Sequence, residues 1–191
     1  RGFAGTGPVR LGNAAALQTQ HDTWGQMVWL AERVASEDGV PPSMDRFSWI
    51  TSLVEGARRV WRTPDAGIWE FRERSARYTF SHVWCWVALD RGASLAGMVG
   101  RLDLASTWAE EAREIRAHVL QAADRVGFFG QTLDNDEDDA SSLMLPMLGF
   151  VPFTDPRFVQ TLERCERRLA AGGLMRRYVA EDDRPEEHTS A

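Results

Sequence analysis

The sequence contains little cysteine and little histidine, and this shortage excludes several kinds of site. Its two cysteines, Cys85 and Cys165, fall at apolar positions of helical patterns, so we expect small buried side chains and no disulfide framework. The four histidines show no ligand spacing. We therefore expect no metal and no cofactor, and the lack of a disulfide pattern favours a cytoplasmic location.

Long apolar runs and an excess of basic charge are also missing. No run approaches the roughly 20 apolar residues that a membrane-spanning helix needs, so we expect no membrane partner. The net charge is -6, and nucleic acid is not expected as the main partner because phosphate binding needs a concentrated basic face. The first residues lack the apolar core of a signal peptide. The missing initiator Met indicates a processed chain or a piece of a longer one.

Helical periodicity dominates the 191 residues, which are enough for a single domain with a sizeable core. We predict an all-α fold of six helices joined as three antiparallel pairs, about Asn13–Ser36, Asp45–Arg62, Thr79–Met98, Asp103–Val126, Ala140–Leu148 and Pro156–Ala171. The third helix is apolar nearly all round, which indicates burial on several sides. No β-hairpin is predicted. Gly172 and Gly173 are interpreted as a helix C-cap, and residues 181–191 as a frayed tail. This alternation of helices and loops resembles half of a twelve-helix α/α toroid.

The loop between the second and third helices is the first candidate for chemistry. It runs from Thr63 to Arg77, and its stretch from Pro64 to Arg72 brings a tryptophan, a carboxyl group and an arginine together. A carboxyl group beside a large indole is a candidate general acid, because an apolar surface favours its protonated form. Trp69 offers a flat apolar face to a sugar ring, and Arg72 has a donor fork for hydroxyl groups. Alternatively, Trp69 plugs the core and Arg72 pairs with Glu70 or Glu73.

The acidic run at 134–139 is the second candidate. Its spacing does not match an EF-hand, which needs a glycine and a distal glutamate that are missing here. We interpret it as a solvated loop that also caps the fifth helix, where an anion favours the N-terminus. Calcium binding is the alternative.

Five stretches, taken together and in order, resemble one known family. They are PVRLGNAA at 8–15 with Gln18, Gln20, Asp22 and Gly25, then DAGIWEFR at 65–72, FS with CWVALDR at 80–91, DASSL with PMLGF at 139–150, and GLMRRY at 173–178. This set is similar to glycoside hydrolase family 15, the group of glucoamylases, glucodextranases and prokaryotic trehalases. The resemblance extends over almost the whole chain.

The resemblance implies a fold, a reaction and a set of residues. The fold would be about half of an (α/α)6 barrel in a single partial domain, and the reaction would be hydrolysis of an α-linked glucoside with inversion. Glu70 matches the general acid, and Trp69 and Arg72 look like neighbours that contact substrate. Three further residues, Arg10, Asn13 and Gln18, fall in a motif that approaches the site.

The same comparison implies that the catalytic base lies in a later loop of the family, beyond Tyr178, so we predict that this segment lacks the base. The chain would then be a central portion of a longer enzyme. The alternative is a non-catalytic helical module that binds sugar or a partner protein. Because half a barrel exposes apolar flanks, we also expect self-association, which would allow two copies to complete a toroid.

Overall fold

The computed structural model describes Gly5 and residues 18–71 and 74–179, and within these it contains five α-helices, one 3-10 helix and one small hairpin. The α-helices are α1 (Asp22–Asp38), α2 (Met44–Val60), α3 (Thr79–Met98), α4 (Leu102–Val126) and α5 (Pro156–Arg168). The 3-10 helix is Ala140–Met144, and the hairpin joins β1 (Ala170–Ala171) to β2 (Leu174–Met175). The fold class is all-α, as predicted, in the arrangement expected of part of an (α/α)6 barrel.

Helix α3 lies at the centre of the core and contacts α1, α2 and α4. Val83, Cys85, Val87 and Leu89 have no exposed surface, although they point to different sides of the helix. A helix that is apolar all round is stable only where neighbours cover every face. The predicted burial of this helix on several sides is therefore confirmed.

The surrounding helices are amphipathic, and most of their predicted inner positions are buried. These positions are Val28 in α1, Phe47, Ile50, Val54 and Ala57 in α2, Trp61 after it, Trp108, Ala112, Ile115 and Val119 in α4, and Phe158, Cys165 and Leu169 at α5. Three predictions are wrong, because Val34, Val126 and Leu162 are about two-fifths exposed. Trp24 and Ala31 are half-buried.

The first helix begins later than the periodicity predicts. Residues 18–20 are not helical, and α1 starts at Asp22 after His21. The main chain here binds the loop before α3: Ala66 N donates to Thr19 O, and His21 N donates to a carboxylate oxygen of Asp65. These contacts replace the helical hydrogen bonds. The predicted N-cap, Asn13, lies outside the described residues.

The predicted fifth helix is a 3-10 helix of five residues followed by turns, so within the described residues five of the six predicted helices are α-helices. Pro146 has no N–H to donate and disfavours helical geometry in the residue before it. Gly149, with φ of 76°, then turns the chain out of the segment. The third predicted helix pair therefore does not form as two α-helices.

The two glycines after α5 form a hairpin turn, and the prediction of a helix C-cap was wrong. Gly172 and Gly173 have φ of 58° and 81°. Two consecutive positive φ values match the tight turn that suits the twist of paired strands. Ala171 pairs with Leu174 and Ala170 with Met175. This hairpin brings Arg177 and Tyr178 back towards the loop of Glu70.

An apolar cleft of about 680 Å³ opens between α1 and α2. Its wall includes Leu30, Val34, Val40 and Trp49, which are 44–61% exposed. An exposed apolar flank is what the half-barrel interpretation predicts, while self-association through it stays a prediction. Within the described ranges, no helix combines the length and the apolar character needed to cross a bilayer.

Gly25 sets how closely α1 approaches α3. A Cβ atom at this position would lie 2.0 Å from the carbonyl oxygen of Trp84, a main-chain atom that cannot rotate away. We expect Gly25→Ala to lower the free energy of unfolding by at least about 2 kcal/mol, because the helices must move apart. Denaturant unfolding measures this.

Gly97→Ala is the matched control, since a Cβ there meets nothing within 4 Å. Its expected effect is a gain of up to about 0.5–1 kcal/mol, the helix preference for alanine over glycine. Equal effects of the two substitutions would contradict the close contact.

Candidate active site

The loop that bears Glu70 is folded by a tight turn and a β-bridge. Gly67 has φ of 66°, and a Cβ there would lie 2.8 Å from the ring of Tyr78. Asp65 and Ala76 exchange two main-chain hydrogen bonds at 3.0 Å, which closes the base of the loop. Glycine is required here both for its left-handed conformation and for the close approach of the tyrosine ring.

Asp65 anchors the start of this loop from within the protein. Its side chain is 1% exposed and accepts hydrogen bonds from His21 N at 3.0 Å and Ser81 Oγ at 2.8 Å. A buried carboxylate is tolerated where donors replace its lost water. The Asp65 contacts therefore join the loop to the start of α1 and to α3.

Glu70 has φ of 55°, a left-handed conformation that costs a residue with a Cβ about 1–2 kcal/mol. Gln18 supports this conformation, since its Nε2 lies 3.3 Å from both Glu70 O and Phe71 O. Gln20 reaches the carboxyl group instead, with Nε2 3.1 Å from Oε1. Such strain occurs most often at functional sites.

The Glu70 side chain lines a cleft of about 340 Å³ at the start of α1. The lining residues are polar apart from one indole, and they are Gln18, Gln20, Thr23, Trp24 and Glu70. Amide and hydroxyl groups beside a flat ring can bind a polyhydroxylated ligand through both its hydroxyl groups and its apolar face. The cleft thus places an exposed carboxyl group where such a ligand would meet it.

Trp69 turns its indole nitrogen towards Asp139, with Nε1 3.0 Å from each carboxylate oxygen. The Asp139 side chain also accepts from Ser141 N at 2.8 Å. Burial raises the pKa of Asp139, and the hydrogen bonds from Ser141 and Trp69 oppose that shift. Tyr178 packs against the Trp69 ring, and the Arg177 guanidinium lies 5.5 Å from its centroid. Asp139, together with Arg177 and Tyr178 from the segment after the hairpin, therefore fixes the end of the loop.

The acidic run is less solvated than predicted. Asp134 and Asp136 are exposed, but Asp138 and Asp139 are buried. Asp138 forms ion pairs with Arg164 at 2.7 Å and Arg168 at 2.8 Å. The predicted capping is confirmed, because the Asp139 side chain caps the 3-10 helix. In the part of the chain that the structure describes, no three His, Cys, Asp or Glu side chains are grouped to hold a metal ion.

The structure brings three of the predicted site residues together. Gln18 and Glu70 line one cleft, and Trp69 precedes Glu70 with its indole N–H turned to Asp139. Arg10, Asn13 and Arg72 lie outside the described residues, as does the predicted alternative pairing of Arg72.

Three contributors to the site were not singled out by residue pattern. Gln20 lies two residues from Gln18, a spacing that places both on one side of an extended segment, but a helix was predicted there. Asp65 and Asp139 each occur in a motif, yet nothing in the spacing shows that they bind groups distant in sequence. The signal that the sequence offers is the position of each aspartate in or beside a predicted loop.

His82 lies in the core and away from the cleft. It is 3% exposed, its Nδ1 is 2.9 Å from Tyr78 O, and its ring meets the edge of Trp61. Because a carbonyl only accepts, Nδ1 bears a hydrogen. Burial lowers the pKa of His82 from its ordinary value of 6.5, and the hydrogen bond to Tyr78 opposes this. The thiol of Cys85 is also buried, as predicted, and its pKa is raised by burial.

Comparison with known proteins yields one family and a set of relatives. The sequence profile of Glycosyl hydrolases family 15 matches residues 1–190. Trehalase from Mycolicibacterium smegmatis is 38% identical over 185 residues, which are 95% of this chain and 27% of that protein. Trehalase from Thermoplasma volcanium is 33% identical over 95% of this chain and 29% of that protein. The chain thus spans less than a third of the length of these curated relatives.

The solved structure of a glycosidase variant superimposes with a TM-score of 0.71 at 20% identity. The match covers 84% of this chain and 43% of that chain. At this identity the likeness shows the fold, and it agrees with the arrangement of helices around α3.

The Trp69 N–H supplies a donor to a buried carboxylate, and its loss should be measurable. Trp69→Phe keeps an aromatic ring but leaves Asp139 short of one hydrogen bond. We expect a loss of about 1–3 kcal/mol in the free energy of unfolding, the usual cost of an unpaired buried group. Trp49→Phe, at a residue 47% exposed, controls for the smaller ring and should cost less than about 0.5 kcal/mol. Equal losses would contradict the role of the N–H.

The lowered pKa of His82 predicts a loss of stability in acid. The unfolded chain takes up a proton at this residue near pH 6.5, whereas the folded state resists it, so the unfolded state binds more protons below that pH. Stability should fall between about pH 7 and pH 5, and His82→Gln should lose less across the same range. Urea unfolding at both pH values tests this, with the exposed His118→Gln as a control for removal of an imidazole. A loss in His82→Gln equal to that of the unchanged protein would refute it.

Proposed function

Because this chain belongs to glycosyl hydrolase family 15, we propose that it forms part of the catalytic domain of an inverting glycoside hydrolase that cleaves an α-linked glucoside. The observation that supports this best is the exposed Glu70 carboxyl group, held by Gln20 at the mouth of a polar cleft. The relatives reported above bear the name trehalase, so trehalose is the first substrate to test, with maltose and isomaltose beside it.

Glu70 acts in this proposal as the general acid. Its protonated carboxyl group gives a proton to the glycosidic oxygen as the bond to the sugar breaks. The left-handed conformation at Glu70, supported by Gln18, directs the side chain into the cleft and not back into the loop. Conformational strain that two long-range hydrogen bonds maintain is consistent with a catalytic position.

The neighbouring residues are proposed to bind the sugar. Gln18 lines the cleft. Trp69 lies next to Glu70 in the same loop, and its hydrogen bond to Asp139 holds this loop in place. Arg10, Asn13 and Arg72 are proposed substrate contacts on the strength of their motifs. No cofactor is required, since two carboxyl groups and water complete an inverting hydrolysis.

The catalytic base is proposed to come from another part of the domain. An inverting enzyme needs a second carboxylate about 6.5–9.5 Å from the acid, on the opposite face of the sugar, to activate water. The match covers 27% of the length of the Mycolicibacterium smegmatis trehalase, so most of that relative lies outside the matched part. A cytoplasmic location stays a prediction.

A second candidate is a non-catalytic helical module that binds sugar or protein and self-associates. The observation that favours it is the apolar cleft between α1 and α2, with Trp49 47% exposed and Leu30 53% exposed. Such a surface is typical of an interface. The two candidates differ in whether loss of the Glu70 carboxyl group changes any activity.

The test is Glu70→Gln in the full-length protein, which retains the shape of the side chain but removes the proton that it donates. We expect kcat to fall by about 10²–10⁴-fold on whichever of the three disaccharides the unchanged protein hydrolyses fastest, with KM changed little. Glu110→Gln, an exposed glutamate on α4, is the matched control and should leave kcat unchanged.

Polarimetry during hydrolysis identifies the anomer released first, and release of the β-anomer of glucose supports inversion. Retention of configuration would refute the inverting mechanism. Full activity of Glu70→Gln would refute the acid, and absence of any hydrolysis by the unchanged protein would favour the non-catalytic module.

A further inference from the structure

Gln20 contacts the Glu70 carboxyl group itself, whereas the Gln18 contacts are to main-chain oxygens. Gln20 Nε2 lies 3.1 Å from Glu70 Oε1, and both residues line the same cleft. Gln20 is half-buried and precedes α1 by two residues. The two side chains therefore come from segments fifty residues apart and meet at the mouth of the site.

A side-chain amide nitrogen has hydrogens to donate and no capacity to accept. The oxygen that faces it, Glu70 Oε1, is therefore an acceptor both when Glu70 is ionised and when it is neutral. In the neutral form the proton must then lie on the other oxygen, Oε2. A general acid works only when its O–H is aimed at the leaving oxygen, so the position of this proton matters for the reaction.

The main chain of the loop is held without help from Gln20. Gln18 Nε2 binds Glu70 O and Phe71 O, and Glu70 N donates to Gly67 O at 3.2 Å. Asp65 and Asp139 fix the two ends of the loop. A substitution at Gln20 should therefore disturb the carboxyl group and leave the loop in place.

We propose that Gln20 is a positioning residue that keeps the acid proton of Glu70 on Oε2 and thereby directs it to the leaving oxygen of the substrate. This rests on the proposed function, in which Glu70 is the general acid. During the step the Oε2–H bond breaks, a new O–H bond forms on the leaving oxygen, and the electron pair of the glycosidic bond passes to that oxygen. The carboxylate left behind accepts the Gln20 hydrogen bond.

The test uses Gln20→Met and Gln20→Glu in the full-length protein, with trehalose and 4-nitrophenyl α-D-glucoside as probes. Gln20→Met has a similar length but no donor, and we expect kcat on trehalose to fall by about 10²-fold through misplacement of the acid, with KM little changed. The nitrophenyl glucoside should lose far less, because its leaving group needs little protonation. Gln121→Met, an exposed residue on α4, is the matched control.

The second readout is the alkaline limb of the profile of kcat/KM against pH. If Gln20 had a merely structural role, its substitution would not shift this limb. Loss of a donor that favours the ionised carboxyl group should shift this limb to higher pH, and Gln20→Glu should shift it further because two adjacent carboxyl groups resist joint ionisation. The other titratable or charged groups near these two residues in the chain are His21 and Asp22 beside Gln20, and Asp65, Arg72 and Glu73 around Glu70. All five remain unchanged in every variant.

Each remaining outcome decides against the proposal. Unchanged kcat and an unchanged limb in both variants would overturn it, and so would an equal loss on both probes without a shift of the limb. A limb that moves to lower pH would also overturn it, because the amide oxygen would then face Glu70.

Glu70→Gln separates this inference from the proposed function. If Glu70→Gln is fully active, the proposed acid fails and Gln20 has no acid to position. If Glu70→Gln is inactive while Gln20→Met and Gln20→Glu behave as the unchanged protein does, only the role of Gln20 fails.

Discussion

Two buried carboxylates, those of Asp65 and Asp139, hold the ends of the loop that presents Glu70. Asp65 binds the main chain before α1 and the hydroxyl group of Ser81 in α3, and Asp139 binds the indole of Trp69 and the start of the 3-10 helix. A buried carboxylate deprived of donors is costly, so each one requires its partners in place. Through them the position of Glu70 depends on the packing of α1, α3 and the 3-10 helix.

The conformation at Glu70 follows from this arrangement. A short loop with both ends fixed has few ways to turn, and Gly67 and Glu70 both take left-handed conformations, at φ of 66° and 55°. The glycine adopts its conformation without strain, whereas the glutamate needs the two hydrogen bonds from Gln18. The result is a carboxyl side chain that leaves the loop towards the cleft while its neighbour Trp69 turns away to Asp139.

Particular elements show how far prediction from the sequence reached. The bounds of α3 and the inner face of α2 follow from periodicity, because burial of apolar side chains imposes it directly. The start of α1 does not, since a hydrogen bond between Thr19 and Ala66 competes with the helix and has no local signature. The fifth helix is shorter than predicted because Pro146 has no N–H to donate. The hairpin forms at Gly172–Gly173 because two consecutive glycines suit the tight turn between paired strands. In both places this local preference outweighed the predicted helix.

The sequence by itself determined the all-α class, the buried central helix and, through ordered motifs, the family and the candidate acid at Glu70. These depend on side-chain polarity at regular spacing and on short contiguous patterns. Tertiary structure alone decided that Gln20 meets the Glu70 carboxyl group, that Trp69 gives its N–H to Asp139, and that His82 belongs to the core. Each of the first two contacts joins residues fifty or more positions apart, and the burial of His82 depends on the helices packed around it, so only the folded chain defines them.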